Sequence, residues 1–509
     1  MNRLGRARGT WLLVAAALAA TTCKAPLNNS GVRCRTDDDC APFGNHPSCV
    51  NSTCVPSGLQ PDMCFFVDPP KAIPMAQADF LNACGPDTCL SFSTPFDSGA
   101  MLRTPPPAAA PVVAPTASPT STCKDLVPPG KQVLYISGSS DFAALLQALA
   151  PVAVNTINIV PVLRATSSCT GARSMNPQSP TYAADHYIQD PTSSTDTFAQ
   201  IFLGDGTPPV SCLLGAGAVV VDLGESEIAQ ETCGGPANSP DLVGEVLGPI
   251  VPIVFAVPKL SKQKTISAAA ARQVFGGGGC VPPWEDPAFL FIRGQETATL
   301  RLVAKEIGLL PDQFWGTDQG SGWSMTRDLA LLTSPTDADP ALGMLSTADY
   351  DQPLSRNALK ALGFQAPGQS CAYLPDSSLT SLDKRNVRDG HYPLWGRIHF
   401  FAARSNGMLT SPATAAFMSL FASPVLDPAI LSAIIKSGMV PPCAMKVRRV
   451  SDLGDFTYFD PPPVACACAF EAQVGVEPSR PECTPCTSNS DCPQNRPSCR
   501  YGYCEQESE

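Results

Sequence analysis

Several shortages narrow the reading of this 509-residue chain. Charge is sparse, at 16% of residues, and acids outnumber bases 45 to 34, for a formal net charge of −11 and a pI near 4.9. No basic surface of the kind that neutralises phosphates along a strand is available, so nucleic acid is not an expected partner. Histidine is scarce: His46, His186, His391 and His399 show no metal-ligand spacing, and neither a metal nor a cofactor follows from them. Catalytic signatures are missing too. There is no G-x-S-x-G, and "GGGG" (276–279) lacks the Lys-Ser/Thr of a phosphate loop and reads as a turn. Ser261-Lys262-Gln263-Lys264 matches S-x-x-K, but it follows Pro258 closely and has no companion motif. No residue is singled out as catalytic, and the chain reads as a binder rather than an enzyme. Beyond the N-terminus no run of about 18 apolar residues occurs, so no mature spanning helix is expected.

Cysteine (22 residues) and proline (53) are abundant instead. The N-terminus carries Arg3, Arg6 and Arg8, then the apolar stretch "WLLVAAALAA" (11–20), then "ATTC" ending at Cys23. That order reads as an export signal over 1–23 and resembles a bacterial lipoprotein signal, which implies lipidation of Cys23. Periplasm, outer membrane or cell surface is the implied location, with a lipid anchor as the membrane contact. Ordinary cleavage nearby is the alternative. Cysteine-rich segments recur at both ends: "CRTDDDCAPFGNHPSCVNSTC" (34–54) and "CTSNSDCPQNRPSCRYGYC" (486–504). Modules this small need crosslinks, and export supplies an oxidising setting. Cys34, Cys40, Cys49 and Cys54 are expected to pair among themselves, as are Cys486, Cys492, Cys499 and Cys504. Cys466, Cys468 and Cys483 are read as disulfide partners as well. The modules resemble short EGF-like repeats of bacterial surface proteins, which implies spacers or contacts.

"TPPPAAAPVVAPTASPTST" (104–122) favours an extended proline-rich linker. The expected order is a signal (1–23), a Cys-rich module (24–60), an extension (61–104), the linker (105–122), a large domain (123–445), a connector (446–482) and a second Cys-rich module (483–509). Within the large domain, strand patterns such as "KQVLYIS" (131–137), "INIVPV" (157–162), "GAVVVD" (217–222) and "VPIVFAV" (251–257) alternate with helical ones such as "AALLQALA" and "ISAAAARQVF" (266–275). Alternation of this kind predicts α/β architecture, with ligands at helix N-termini after strands.

"FIRGQETATLRLV" (291–303) fits that rule: a strand, Arg293, then Thr297-Ala298-Thr299 opening a helix. A guanidinium offers a planar fork to an oxyanion, and hydroxyls and first-turn N–H groups add donors. A capping threonine beside a surface arginine is the plainer reading of the same residues.

The order of such segments over roughly 131–440 resembles the phosphate-binding periplasmic proteins of ABC transporters. The segments are "SGSSDF" (137–142), "SSCTG" (167–171), "VDLGESE" (221–227), Arg293 with Thr297-Ala298-Thr299, and "VRDGHYPLWGRIHFF" (387–401). The resemblance implies two α/β lobes joined by two crossover strands and flanked by the disulfide-rich modules. Lobe one would hold 124–252 and 350–445, lobe two 253–349, with crossings at "PIVFAV" and 343–351. It implies Ser139, Ser140, Asp141, Phe142, Ser167, Ser168, Ser226 and Glu227 facing Arg293, Thr297, Ala298 and Thr299 across a cleft. Inorganic phosphate or a related oxyanion is the implied ligand, an ABC permease the implied partner, and a monomer the implied state. Three positions depart from the pattern: Ala298 replaces Gly, Glu227 replaces Asp, and Asp141 stands where a hydroxyl is usual. A second carboxylate beside an anion is repulsive unless it turns away or is protonated. An envelope or surface interaction protein that reuses the fold without transport is the alternative function.

Overall fold

A computed structural model describes residues 119–191, 198–279, 281–458, 464–475 and 483–507, plus the backbone of two strands, Ser48–Val50 and Thr53–Val55. Those two strands pair antiparallel with Cys49 opposite Cys54. The expectations for the signal, Cys23, most of the linker, and the pairing of Cys34, Cys40, Cys49 and Cys54 lie outside the described residues.

The first lobe is built by strand–helix alternation. Strand β1 (Gln132–Gly138) leads into helix α1 (Phe142–Asn155), which buries Phe142, Leu145, Leu146, Leu149 and Ala153 along one stripe. Strand β2 (Ile159–Ala165) follows, then the short helix α2 (Ser168–Arg173). Strands β3 (Ala199–Ile201) and β4 (Val210–Cys212) form the edge, and β5 (Leu223–Ser226) returns to the centre. Strand β5 lies later than the run "GAVVVD" suggests. Only Val219–Val220 of that run is extended, and it pairs with Tyr187–Ile188 outside the main sheet.

Strand β6 (Val243–Pro258) is 16 residues long and belongs to both lobes. The second lobe continues with β7 (Thr265–Ser267), α3 (Ala268–Gly276), β8 (Phe291–Ile292), α4 (Ala298–Ile307), β9 (Thr317–Asp318), α5 (Gly322–Ala330), β10 (Gly343–Ser346) and the single-turn α6 (Thr347–Tyr350). Strands β11 (Leu359–Ala361) and β12 (Gly363–Gln365) come next, and β13 (Trp395–Ser405) re-enters the first lobe.

The main sheet runs β10-β6-β13-β5-β1-β2-β3-β4. Strand β1 is parallel to β2 and β5, while β13 lies antiparallel between β5 and β6. The result is a two-lobed α/β fold: the near half of β6 pairs with β13, and its far half with β10 and β11. The second lobe does not end at 349. Strand β11 pairs with residues 256–258 of β6 and β12 pairs parallel with β7, so the chain returns only at β13. After segment 343–346 the chain meets the first lobe at α6, where the Thr347 hydroxyl donates to the Gly438 carbonyl at 2.7 Å, but it then runs back to the second lobe through β11. The Tyr392-Pro393-Leu394 element does lead back: the Tyr392 hydroxyl donates to the Ile253 carbonyl at 2.7 Å.

Two glycines set how closely α2 sits on the sheet. A Cβ at Gly171 would lie 2.0 Å from the Glu225 carbonyl oxygen, and one at Gly224 would lie 2.3 Å from the Gly171 carbonyl oxygen. Only hydrogen at both positions permits this contact of helix and strand backbones.

Disulfides tie the chain's outer parts to this core. Cys123–Cys212 and Cys169–Cys233 lie in lobe one. The connector is not a free tether: Cys443–Cys466 and Cys468–Cys483 staple it, and Arg388 pairs with Glu471 of helix α9 (Ala467–Gln473) at 3.0 Å in the interior. Cys466 and Cys468 are thus disulfide-bonded, each to a more distant cysteine. The C-terminal module pairs internally, Cys486–Cys499 and Cys492–Cys504. No helix among the described residues is long and apolar enough to cross a membrane.

Candidate functional site

The loop after β1, the start of α2, the end of β5 and the start of α4 converge where the two lobes meet. Asp141 precedes α1 and is 1% exposed; Arg293 follows β8 and is 2% exposed. Arg293 Nη1 donates to Asp141 Oδ1 at 3.3 Å, and its Nη2 donates to Ser140 Oγ at 3.2 Å. Thr299 Oγ1 donates to Asp141 Oδ2, also at 3.3 Å. Donors from the second lobe therefore surround a carboxylate of the first.

A second strut lies alongside. Ser168 Oγ donates to Glu227 Oε2 at 2.7 Å and accepts the Ala298 N–H at 2.9 Å. That N–H is one of the first-turn groups of α4 with no partner inside the helix. The Cys169 N–H donates to the Glu296 carbonyl at 3.0 Å, and Arg173 pairs with the Glu296 carboxylate at 2.5 Å. Arg301 Nη1 donates to the Thr232 carbonyl at 2.9 Å. These contacts hold the lobes together directly, protein to protein.

Other residues singled out in the sequence have local duties. Thr297 is the N-cap of α4, accepting the Leu300 N–H and donating to the Gly294 carbonyl. Ser167 caps α2 by accepting the Thr170 N–H. Ser226 Oγ bonds both backbone groups of Ile228. Phe142 is core, its ring 5.6 Å from that of Phe400. Ser139 shapes the loop: its Oγ accepts the Asp141 N–H and its own N–H donates to Glu225 Oε2. The side chains or backbone brought together at the junction are those of Ser140, Asp141, Ser168, Glu227, Arg293, Ala298 and Thr299.

Two carboxyls of the cluster escape a reading of the sequence. Glu225, fully buried on β5, sits two residues before Glu227. Asp349, in α6, brings its carboxyl beside Asp141, with Oδ2 buried. Gly322 makes room for it, since a Cβ there would lie 1.7 Å from Asp349 Oδ2. No local pattern marks Asp349, because it is placed by the crossing of the chain and not by a neighbouring motif.

The charges sort themselves by position. Burial resists ionisation of Asp141, but the Arg293 guanidinium together with hydrogen bonds from Asp349 and Ser346 outweighs it and holds this carboxyl below its ordinary value. Burial, then the Asp141 charge, push Glu227 up to about 7. Burial and the same charge push Asp349 well above its ordinary value, and burial with the neighbouring Glu227 does so for Glu225. One anion thus belongs to Arg293, and the other carboxyls favour the neutral form. Among the described residues, buried Arg293 Nε, Glu227 Oε1 and Asp349 Oδ2 have no hydrogen-bond partner. An isolated buried donor and two isolated carboxyl oxygens are costly to leave unmatched.

No family model matches the chain. Curated proteins yield no match either. Among solved structures, a putative phosphate ABC transporter substrate-binding protein with bound phosphate from Clostridium perfringens aligns at 10% identity. The alignment covers 61% of this chain and 99% of that one, with a TM-score of 0.41. An ABC-type phosphate transport receptor from Vibrio cholerae aligns at 12% identity, covering 61% and 100%, with a TM-score of 0.36. Corynebacterium glutamicum OxyR aligns at 8% identity over 60% of this chain and 66% of that one, with a TM-score of 0.33. At such identities and TM-scores these likenesses say nothing about what this chain binds, and the fold described above stands on its own strand order. Cys486, Cys492 and Cys504 have metal-ligand proximity, but their sulfurs are in disulfides and offer no thiolate.

Proposed function

We propose that this chain is an exported, non-catalytic binding protein whose interlobe junction takes a small oxyanion, with phosphate the best chemical fit. One observation carries this reading: Arg293, Ser140 and Thr299 already surround an oxyanion, the Asp141 carboxylate. Asp141 acts as a tethered stand-in that a ligand must displace. The unmatched atoms favour a protonated oxyanion over a bare one. Arg293 Nε asks for an acceptor, while Glu227, whose value of about 7 leaves it partly ionised near neutral pH, asks for a donor in its ionised form. Hydrogen phosphate offers both; sulfate offers acceptors alone. Delivery to an ABC permease, or sensing, extends the same reading, with the lipid anchor and the Cys-rich modules holding the protein in the cell envelope.

Asp141 also favours a second reading, in which the stand-in is never displaced and the chain is an envelope interaction protein with a permanently closed junction. Calorimetry of the full chain and of Asp141→Ser combined with Asp349→Asn, with phosphate and sulfate, separates the two. The binding reading expects phosphate to bind more tightly than sulfate. It also expects Asp141→Ser combined with Asp349→Asn to tighten phosphate at least about ten-fold, because the competing buried charge and the carboxyl that would replace it are both gone. Binding by neither protein, with both folded, leaves the interaction reading in its place.

A further inference from the structure

A second site lies away from the interlobe junction, on the first lobe. Between the bulged middle of β6 and the connection from helix α7 (Pro412–Ala422) to helix α8 (Pro428–Lys436) is a concave pocket of about 450 Å³. That volume falls in the range of small-molecule sites, roughly 300–1,000 Å³. Its walls are mostly apolar, with Leu247, Pro249, Phe421, Leu426 and Ile434 among them. One cation, Arg397 of β13, faces into it.

Arg397 is held but not neutralised. Its Nε donates to the Gly248 carbonyl at 3.1 Å, where the β6–β13 register shifts. No carboxylate among the described residues forms an ion pair with it, whereas the buried Arg293 and Arg388 each have one. Burial alone lowers its pKa to about 10. The other ionisable group in the wall, Glu245, is engaged elsewhere, its Oε1 bonded to His399 Nδ1 at 2.5 Å. With Nε occupied, the two terminal nitrogens remain as a parallel pair of donors, the geometry that a carboxylate accepts in bidentate fashion.

We propose that this pocket binds an apolar monocarboxylate, its carboxylate on Arg397 and its hydrocarbon part along Leu247, Phe421 and Leu426. A monoanion is the better match than a dianion, because Arg397 is the single cation in the wall and Glu245 stands nearby. The site shares no side chain with the Arg293 cluster, and the Arg397 backbone N–H donates to the Glu227 carbonyl at 3.1 Å.

Octanoate is the probe, titrated by calorimetry into the full chain, with octanol and acetate as partial ligands. Octanoate should bind, and each partial ligand should bind at least about ten-fold more weakly, since one lacks the charge and the other the apolar part. Arg397→Gln should weaken octanoate by a similar factor while leaving any phosphate response of the junction unchanged. If Arg397→Gln does not fold, Ala422→Trp, at the exposed rim, should block octanoate by filling the pocket. Failure of octanoate to bind the wild type, octanol binding as tightly as octanoate, or octanoate binding unchanged in both variants would each overturn the proposal.

Discussion

Removing Asp141 should cost far less than removing its partner Arg293, although the two form one buried ion pair. Arg293→Met leaves the Asp141 carboxylate in the interior with no cation, while Glu227 and Asp349 remain beside it. Breaking a buried pair in this way costs about 3–5 kcal/mol. Asp141→Asn keeps an acceptor for Arg293 and Thr299 but removes the anion, which by itself would leave Arg293 uncompensated at a similar cost of about 3–5 kcal/mol. A compensation follows. The Asp141 charge is a leading reason that Asp349 is held neutral, and the Arg293 charge already acts on Asp349 in the opposite sense. Once Asp141 is neutral, Asp349 can ionise against Arg293 and recover most of the loss, leaving a net cost of about 1 kcal/mol. Denaturant unfolding near pH 7 of Arg293→Met, Asp141→Asn and Asp141→Asn/Asp349→Asn measures all three. The double variant leaves Arg293 without an anion and should approach the cost of Arg293→Met. If Asp141→Asn alone loses as much as the double variant, no second carboxyl takes over, and the coupling inferred for this cluster is wrong.

Glu227 makes stability depend on pH in a defined direction. Its folded value of about 7 exceeds the ordinary 4.5, so the folded state holds a proton that the unfolded chain has released. Its contribution is complete below 4.5 and is lost as pH rises towards 7, by about 3 kcal/mol at about 1.4 kcal/mol per tenfold change in proton concentration. Glu227→Gln should flatten that decline in a pH series of unfolding curves, and an unchanged slope would show that Glu227 titrates normally. Gly171→Ala should destabilise by more than about 2 kcal/mol, because its Cβ would meet backbone on β5 that has no side-chain freedom to yield. Thermal unfolding tests it, and a loss below about 0.5 kcal/mol would mean that α2 can slide off the sheet.

The sequence by itself was enough to specify β1, α1, β2, the second half of β6 and α3, because apolar periods of two and 3.6 are local properties of the chain, but it misplaced β5. It was enough to mark the start of α4, where Thr297 is a cap, and to pair the four C-terminal cysteines within their own short module. It also pointed to Arg293, which stands where a strand ends and a helix begins, while Asp141 came only from the resemblance of its loop. The resemblance implied that the two face each other; that they bond directly, 152 residues apart, was decided by the tertiary structure. The same holds for Asp349 and Glu225, whose carboxyls enter the cluster through a chain crossing and a sheet register. It holds for Ser167, Ser226 and Thr297, which sit in promising motifs but bond to their own backbone neighbours. Hydroxyls can satisfy nearby backbone groups as readily as a ligand, and only the path of the whole chain determines which partner lies within reach. The boundary of the second lobe was hidden for a related reason: β11 and β12 are three-residue strands, too short for a period, and only their pairing with β6 and β7 assigns them a lobe.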